Sequence, residues 1–430
     1  MKKTILLISF SALLYVVASA QISGASAQIP NDSCLMKNNG HLNLDIDAEA
    51  FFFNAEYGTP FVKGFTVPGF RLSPTLVYGI NEHAQLRVGF NAMMNAGMDS
   101  LQSFRPTLTL LYKPTHWLAF VAGTLQDKYQ SSIFCSHHGL PYPVIDPARH
   151  YLNYQEDGIQ IVADTRLWKS DTWLDWRHYL VPWTPDQELF TMGSKHEFVL
   201  LNRSWLNTSI STAMPLSGPC ITTEYYTQQY FRVLVPCFFI ANHRGGELKT
   251  IDTNTVTHFN EQVGLRFEYE KDNGYRYHKL ALDFPILFFH LDSKVDHGGN
   301  AFYPTLSYRW SKSLETDLQS SNTDSRLSIF NSLGFWRGNH FFSPLGSPLF
   351  WSANSYSSQH MYASVAADIQ SGDYPNADFR NLLTYTLSLE HQFKGVALGL
   401  QVDFLHDFDL STNDFIFSFF IKYNGHFSLL

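Results

Sequence analysis

Charge is scarce in this sequence. Only 16 % of its 430 residues are Asp, Glu, Lys or Arg, where about a quarter is usual for a soluble domain. Long hydrophobic runs are missing too. After the N-terminal leader no stretch of roughly 18 apolar residues occurs, which excludes a transmembrane helix. The oiliest segments, RVLVPCFFIA and FPILFFHL, are short and interrupted by proline. Cysteine is sparse, with four residues at Cys34, Cys135, Cys220 and Cys237 and no CxxC spacing. No GxSxG elbow and no repeat of 20–50 residues is present. A net charge of -8 gives no support to nucleic-acid binding.

What the chain does have is an export leader and many aromatics. MKKTILLISFSALLYVVASAQISGASAQ places Lys2 and Lys3 before an apolar run, followed by the small-residue sites Ala18-Ser19-Ala20 and Ala25-Ser26-Ala27. Residues 1–27 read as a secretory signal peptide, 28–41 as a short N-terminal segment, and 42–430 as a single domain. The chain carries 36 Phe, 22 Tyr and 9 Trp. An exported, charge-poor, aromatic-rich chain without helical spans suits a transmembrane β-barrel.

Periodicity supports this. In LNLDIDAEAF, Asn43, Asp45, Asp47 and Glu49 alternate with Leu42, Leu44, Ile46, Ala48 and Ala50. QLRVGFNAMM, SFRPTLTLLYKP, GIQIVADTRLW, EQVGLRFEYE, AFYPTLSYRW and GVALGLQVDF repeat the period of two. Such strands run for about 10–13 residues, longer than the 5–6 of ordinary globular strands and suited to a tilted membrane crossing. Short connections alternate with long ones, the long ones falling at 130–155, 217–227, 311–325 and 338–358. The expected fold is all-β: an antiparallel up-and-down barrel of about 16–18 strands. The parity of 188–256 stays open, because LNRSW at 201–205 is either a turn or part of one long strand.

The leader, the alternating aromatic strands and the phenylalanine-rich DFIFSFFIKY near the end resemble outer-membrane β-barrels of Gram-negative bacteria. The stretch EDGIQIVADTRLWKSDTWLDWRHYL resembles uncharacterised barrels of the Bacteroidota type. The resemblance implies a place in the outer membrane, contact with its lipid, and insertion by the barrel-assembly machinery.

Within such a barrel, Arg71, Arg87 and Arg105 project inward from successive strands, beside Asp45, Asp47 and Glu49. Opposed charges of this kind set up a transverse field that filters small solutes. Arg166, Arg266, Glu268 and Arg309 are further pore-lining candidates. The function expected on this basis is porin-like passive diffusion of small hydrophilic solutes, with no catalysis and no cofactor. The alternatives are a structural or secretion-associated barrel, a hydrophobic-solute channel, or an outer-membrane lipid hydrolase. A hydrolase needs a Ser or Thr nucleophile, a His and an orienting group on adjacent strands. Trp168, Trp173, Trp176 and Trp183 read as interfacial belt residues. His137-His138, His243 and His297 stand in loops; His243 has Glu247 and Asp252 after it, and metal binding is not expected. Cys220 and Cys237 are close enough in sequence to clip a loop to its strand.

Overall fold

The computed structural model describes residues 40–59, 62–125, 137–152, 155–179, 187–213, 221–245, 256–292, 298–313, 325–352, 379–393 and 395–429. The leader and most of segment 28–41 lie outside these residues, as do Cys34, Cys135, Cys220, Trp183, Glu247, Asp252 and His297.

Alternation in the sequence becomes alternation across a wall. The strands are β1 (Leu42–Glu56), β2 (Phe65–Gly79), β3 (Ala84–Asn95), β4 (Ser103–Thr115), β5 (Leu118–Thr124), β6 (Asp157–Asp164), β7 (Trp168–His178), β8 (Glu188–Ala213) and β9 (Ile221–Gly245). They continue with β10 (Val256–Asp272), β11 (Arg276–Asp292), β12 (Gly298–Phe302), β13 (Thr305–Ser313), β14 (Ser325–Asn339), β15 (Phe379–Phe393), β16 (Val396–Asp407) and β17 (Thr412–Ser428). Each pairs antiparallel with its neighbours in sequence, and β17 returns to β1 with Asn43 opposite Ser428 and Glu56 opposite Phe415. The sheet is therefore a closed meander with no free edge at β1 or β17. β12 and β13 both pair with β11 and β14 and form one stave, broken at Tyr303-Pro304; proline has no N–H for the ladder. The barrel thus has 16 staves.

The outer face is apolar and uncovered. Phe104 and Leu108 on β4 are 60 % and 58 % exposed, whereas Phe53 on the inner row of β1 is 1 % exposed. In water, rows of bare hydrocarbon would cost about 25 cal/mol per Å²; in lipid they cost nothing. The wall is that of a membrane barrel.

Tight turns at 80–83, 116–117, 165–167 and 273–275 lie at one end; β5 and β14 end, and β6 and β15 begin, at the other, where the longest intervals between strands fall. The end with the long connections is assigned to the cell exterior, as in bacterial barrels generally. β8 runs unbroken through LNRSW, with a bulge at Val199–Leu201. This settles the parity of 188–256. β8 and β13 end, and β9 and β14 begin, at the tight-turn end.

Two segments enter the lumen. The first carries a 3-10 turn at His137–Gly139 and a short helix α1 (Arg149–Leu152); the second spans 340–352. They bind each other through Asp146 N–H to the Leu345 carbonyl at 2.7 Å, Ser347 N–H to the Tyr142 carbonyl at 3.0 Å, and the Ser343 hydroxyl to the Val144 carbonyl at 3.0 Å. Leu140, Val144, Ile145, Tyr151, Phe341, Leu349 and Phe350 are each under 5 % exposed and join the inward residues Phe53, Ile240, Leu287, Trp336 and Leu382 in one core. Tyr151 wedges between Phe51 and Phe53, with centroids 5.1 and 5.0 Å away. Each such burial stabilises by roughly 1.5–3 kcal/mol. A hydrophobic plug thus occupies part of the lumen.

Candidate functional site

The inward charges stand where alternation puts them, and they neutralise one another. Arg71 pairs with Glu49, both 1 % exposed, and its guanidinium also donates to the His150 carbonyl at 2.9 Å. Arg87 lies 3.5 Å from Asp45, Asp47 lies 3.1 Å from Lys422, and Arg105 lies 2.6 Å from Asp157. Arg266 contacts Asp283, Glu197 at 3.2 Å and Glu268 at 3.8 Å. Arg309 lies over the Phe330 ring at 5.6 Å. Arg166 departs from its expected place: it sits in the turn between β6 and β7, because the strand ends at Asp164. Glu49 and Arg71 lie under α1, so the plug sits across the lumen at their level. A polar cavity of about 580 Å³, lined by Asp45, Asp47, Arg87, Asn91, Gln155 and His426 among others, remains beside it.

One buried cluster staples the plug to the wall. His138 Nδ1 is 2.9 Å from Asp171 Oδ2 and Nε2 is 2.8 Å from Glu156 Oε2. Carboxylates only accept, so both ring nitrogens carry protons and the ring is an imidazolium. Burial pulls its pKa down, but Glu156 and Asp171 outweigh burial and raise it to about 10. A histidine held protonated in this way cannot serve as a general base. Trp173 stacks on this ring inside the lumen and is not a belt residue; Trp168 and Trp176 do face outward. Cys237 is a free thiol midway along β9, in register with His196 and Val263.

Hydrolysis through an acyl-enzyme needs a Ser or Thr hydroxyl against an imidazole. Three such pairs occur among the described residues, all on the outer wall. Ser194 Oγ lies 2.9 Å from His196 Nε2. Trp168 Nε1–H donates to His196 Nδ1 at 3.3 Å, however. An indole only donates, so neutral His196 carries its proton on Nε2 and cannot take one from Ser194. Ser325 and His391, 3.0 Å apart, stand at the tight-turn end beside 394–395. The third pair is Thr257 Oγ1 and His243 Nδ1, 3.0 Å apart and directly opposite each other on β10 and β9. It lies at the exterior rim, where Phe190 stacks on His243 at 4.7 Å and packs on Trp176 at 5.5 Å.

The same outward row of β10 continues through Phe259 to Glu261 before reaching Val263. Glu261 Oε2 lies 3.8 Å from His290 Nε2 of β11, with side chains 42 % and 53 % exposed. Among the described side chains, Glu261 is the one carboxylate on an outward strand position away from a strand end. Charge on a lipid-facing wall is costly, which makes the position a candidate site.

The family model described as Lipid A 3'-O-deacylase-type matches residues 34–430. The chain belongs to that family. The Lipid A 3'-O-deacylase-type match overturns the expectation of a barrel without enzymatic activity and favours the hydrolase alternative over the porin-like one. No curated protein sequence matches the chain. Solved structures similar to it include the loop L8 deletion mutant of OmpT of Vibrio cholerae, at 11 % identity over 90 % of this chain and 100 % of that one, with a TM-score of 0.44. OprD of Pseudomonas aeruginosa is 8 % identical over 91 % of this chain and 96 % of its own, with a TM-score of 0.41. OccK2 (OpdF) of the same organism, in complex with glucuronate, is 10 % identical over 91 % and 100 %, with a TM-score of 0.42.

Sequence reasoning singled out His243 but not Thr257, Glu261 or His290. The signal was an acid in an apolar row: in THFNEQV, Glu261 shares its face with Phe259 and Val263.

Proposed function

We propose that this barrel hydrolyses an acyl ester of lipid A, or of a closely related acylated sugar lipid, in the outer leaflet of the outer membrane. The Lipid A 3'-O-deacylase-type match over residues 34–430 carries the reading. The plug in the lumen supports it over free passage of solutes. The outward position of Thr257 and His243 at the exterior rim supports it too, because esters linking acyl chains to a lipid headgroup lie at that depth.

In this mechanism His243 Nδ1 takes the proton of the Thr257 hydroxyl as Thr257 Oγ1 attacks the ester carbonyl. The bond from carbonyl carbon to sugar oxygen breaks as His243 passes that proton to the sugar oxygen, and the acyl group passes to Thr257. Water then attacks the acyl-threonine as His243 takes its proton, and His243 gives that proton to Thr257 Oγ1 as the fatty acid leaves. Phe190, Phe239 and Phe259 on the same wall offer apolar contact to the acyl chain.

The test is purified barrel incubated with lipid A in mixed micelles, followed by mass spectrometry. Loss of one acyl chain, abolished in Thr257→Val and in His243→Gln, is expected. An intact substrate after prolonged incubation with folded protein overturns the reading.

A further inference from the structure

The lumen holds a polar cavity that the deacylation at the rim does not use. It measures about 580 Å³ and lies along the inward faces of β1 to β5 and β17. Asp45 and His426 line it near the tight-turn ends of β1 and β17. Their side chains are 33 % and 53 % exposed, so the cavity opens toward the periplasm. At its other end stand Gln155 and Glu156, between α1 and β6, which are 7 % and 8 % exposed.

We infer that this cavity is a binding site for a small neutral sugar or polyol that enters from the periplasm. The inference is independent of the chemistry at Thr257. Three features carry it. First, Asn91 on β3 lines the cavity and is 7 % exposed, yet its side-chain amide makes no hydrogen bond among the described residues. An amide offers two donors and an acceptor, and buried ones are normally paired. The Ser73 and Thr107 hydroxyls, from side chains that line the same cavity, also lack a partner. Second, strand register builds a row of hydroxyls. Thr75, Gly89 and Thr107 stand opposite one another across β2, β3 and β4. A Cβ at Gly89 would come 2.2 Å from the Pro74 carbonyl oxygen and 3.0 Å from Thr75 Oγ1, so the wall stays bare between the two threonines.

Third, the carboxylates of the cavity are already answered. Asp45 lies against Arg87 and His426, Asp47 against Lys422, and Glu156 against His138. An ionic ligand would have to break one of these pairs and leave a charge uncompensated. No aromatic ring is among the described lining residues, so a flat apolar ligand has nothing to stack on. What stays open is a set of hydroxyls and amides, which matches the hydroxyls of a sugar. Pockets for small molecules hold roughly 300–1,000 Å³, and the volume here suits a mono- or disaccharide. A ligand that binds the folded state alone also stabilises it, so occupancy shows in the melting temperature as well as in direct binding.

The experiment titrates the purified barrel, in a detergent without a sugar headgroup, with glucose, N-acetylglucosamine and maltose. Glucuronate and glucosamine serve as charged counterparts. Binding is followed by saturation-transfer NMR, and folding is checked by heat-modified gel mobility. At least one neutral sugar is expected to bind with a dissociation constant on the order of 1 mM, and the charged counterparts about tenfold more weakly. Asn91→Leu replaces the amide with hydrocarbon of similar size, and Thr75→Val removes a hydroxyl while keeping its shape. Each is expected to weaken binding by about tenfold, the worth of one lost hydrogen bond. Thr75→Val is isosteric and reports even where Asn91→Leu fails to fold. No binding of any neutral sugar at about 50 mM overturns the inference. Binding that is unchanged in the folded variants, or equally tight for the charged counterparts, overturns it too.

Discussion

His138 lies flat on Trp173, with ring centroids 3.7 Å apart and planes 6° from parallel. The imidazolium thus has an aromatic face against it and a carboxylate at each nitrogen. This contact joins the first plug segment to β7 and gives the plug a pH-dependent grip.

The sign of that dependence follows from linkage. An unfolded histidine titrates near 6.5, and His138 in the folded barrel near 10. Between these values the folded state holds a proton that the unfolded state has lost, so stability falls as pH rises. The contribution is whole below pH 6.5 and gone above about 10. Unfolding transitions in detergent, recorded from pH 6 to 10.5, are expected to fall across this window. His138→Gln is expected to be less stable at pH 6 and to show a flatter profile.

Glu49 and Arg71 are both 1 % exposed, under the plug. Removing one partner strands the other. Arg71→Met is expected to cost about 3–5 kcal/mol, and the double replacement with Glu49→Gln distinctly less. Denaturant unfolding of the two variants checks this; equal costs would show that the pairing is immaterial.

The plug also predicts electrical silence. In planar bilayers the wild-type barrel is expected to carry no steady ionic current. Exchanging residues 341–352 for a short Gly-Ser linker removes Phe341, Phe342, Leu349, Phe350 and Trp351 from the core and is expected to open one. A steady wild-type current would mean that a water path runs beside the plug.

At the rim, Thr257→Ser keeps a hydroxyl within reach of His243 and is expected to retain measurable acyl release. Thr257→Val keeps the shape but not the nucleophile and is expected to lose at least about 100-fold, with stability unchanged within about 0.5 kcal/mol. Rate and melting measurements on the same samples separate the two effects.

Much of the fold was legible because the period-two pattern is strict. Leu86, Val88 and Phe90 oppose Arg87 and Gly89 in the sequence as they do across the wall. Strand ends were less legible: Arg166 looked inward only while the alternation was carried past Asp164. The plug was not legible at all. HHGLPYPVIDPARHYL has neither strand nor long-helix periodicity, and its apolar residues make sense only once Phe51, Phe53 and Trp336 surround them. Trp173 was misread for the same reason, since a tryptophan on a hairpin declares nothing about which side it serves. The site was half legible. His243 drew notice, but its partner Thr257 is fixed by β9–β10 register, and register is a property of paired strands, not of either one alone.

The pairing of Asn43 with Ser428 ties the first strand of the barrel to the last. β1 therefore waits for nearly the whole chain before its outer ladder is satisfied, and closure has the largest sequence separation of any pairing in the molecule. Until then two bare edges must be shielded from lipid, where unpaired backbone amides are costly. Any shortening that removes Thr412–Ser428 would therefore leave a sheet that cannot seal.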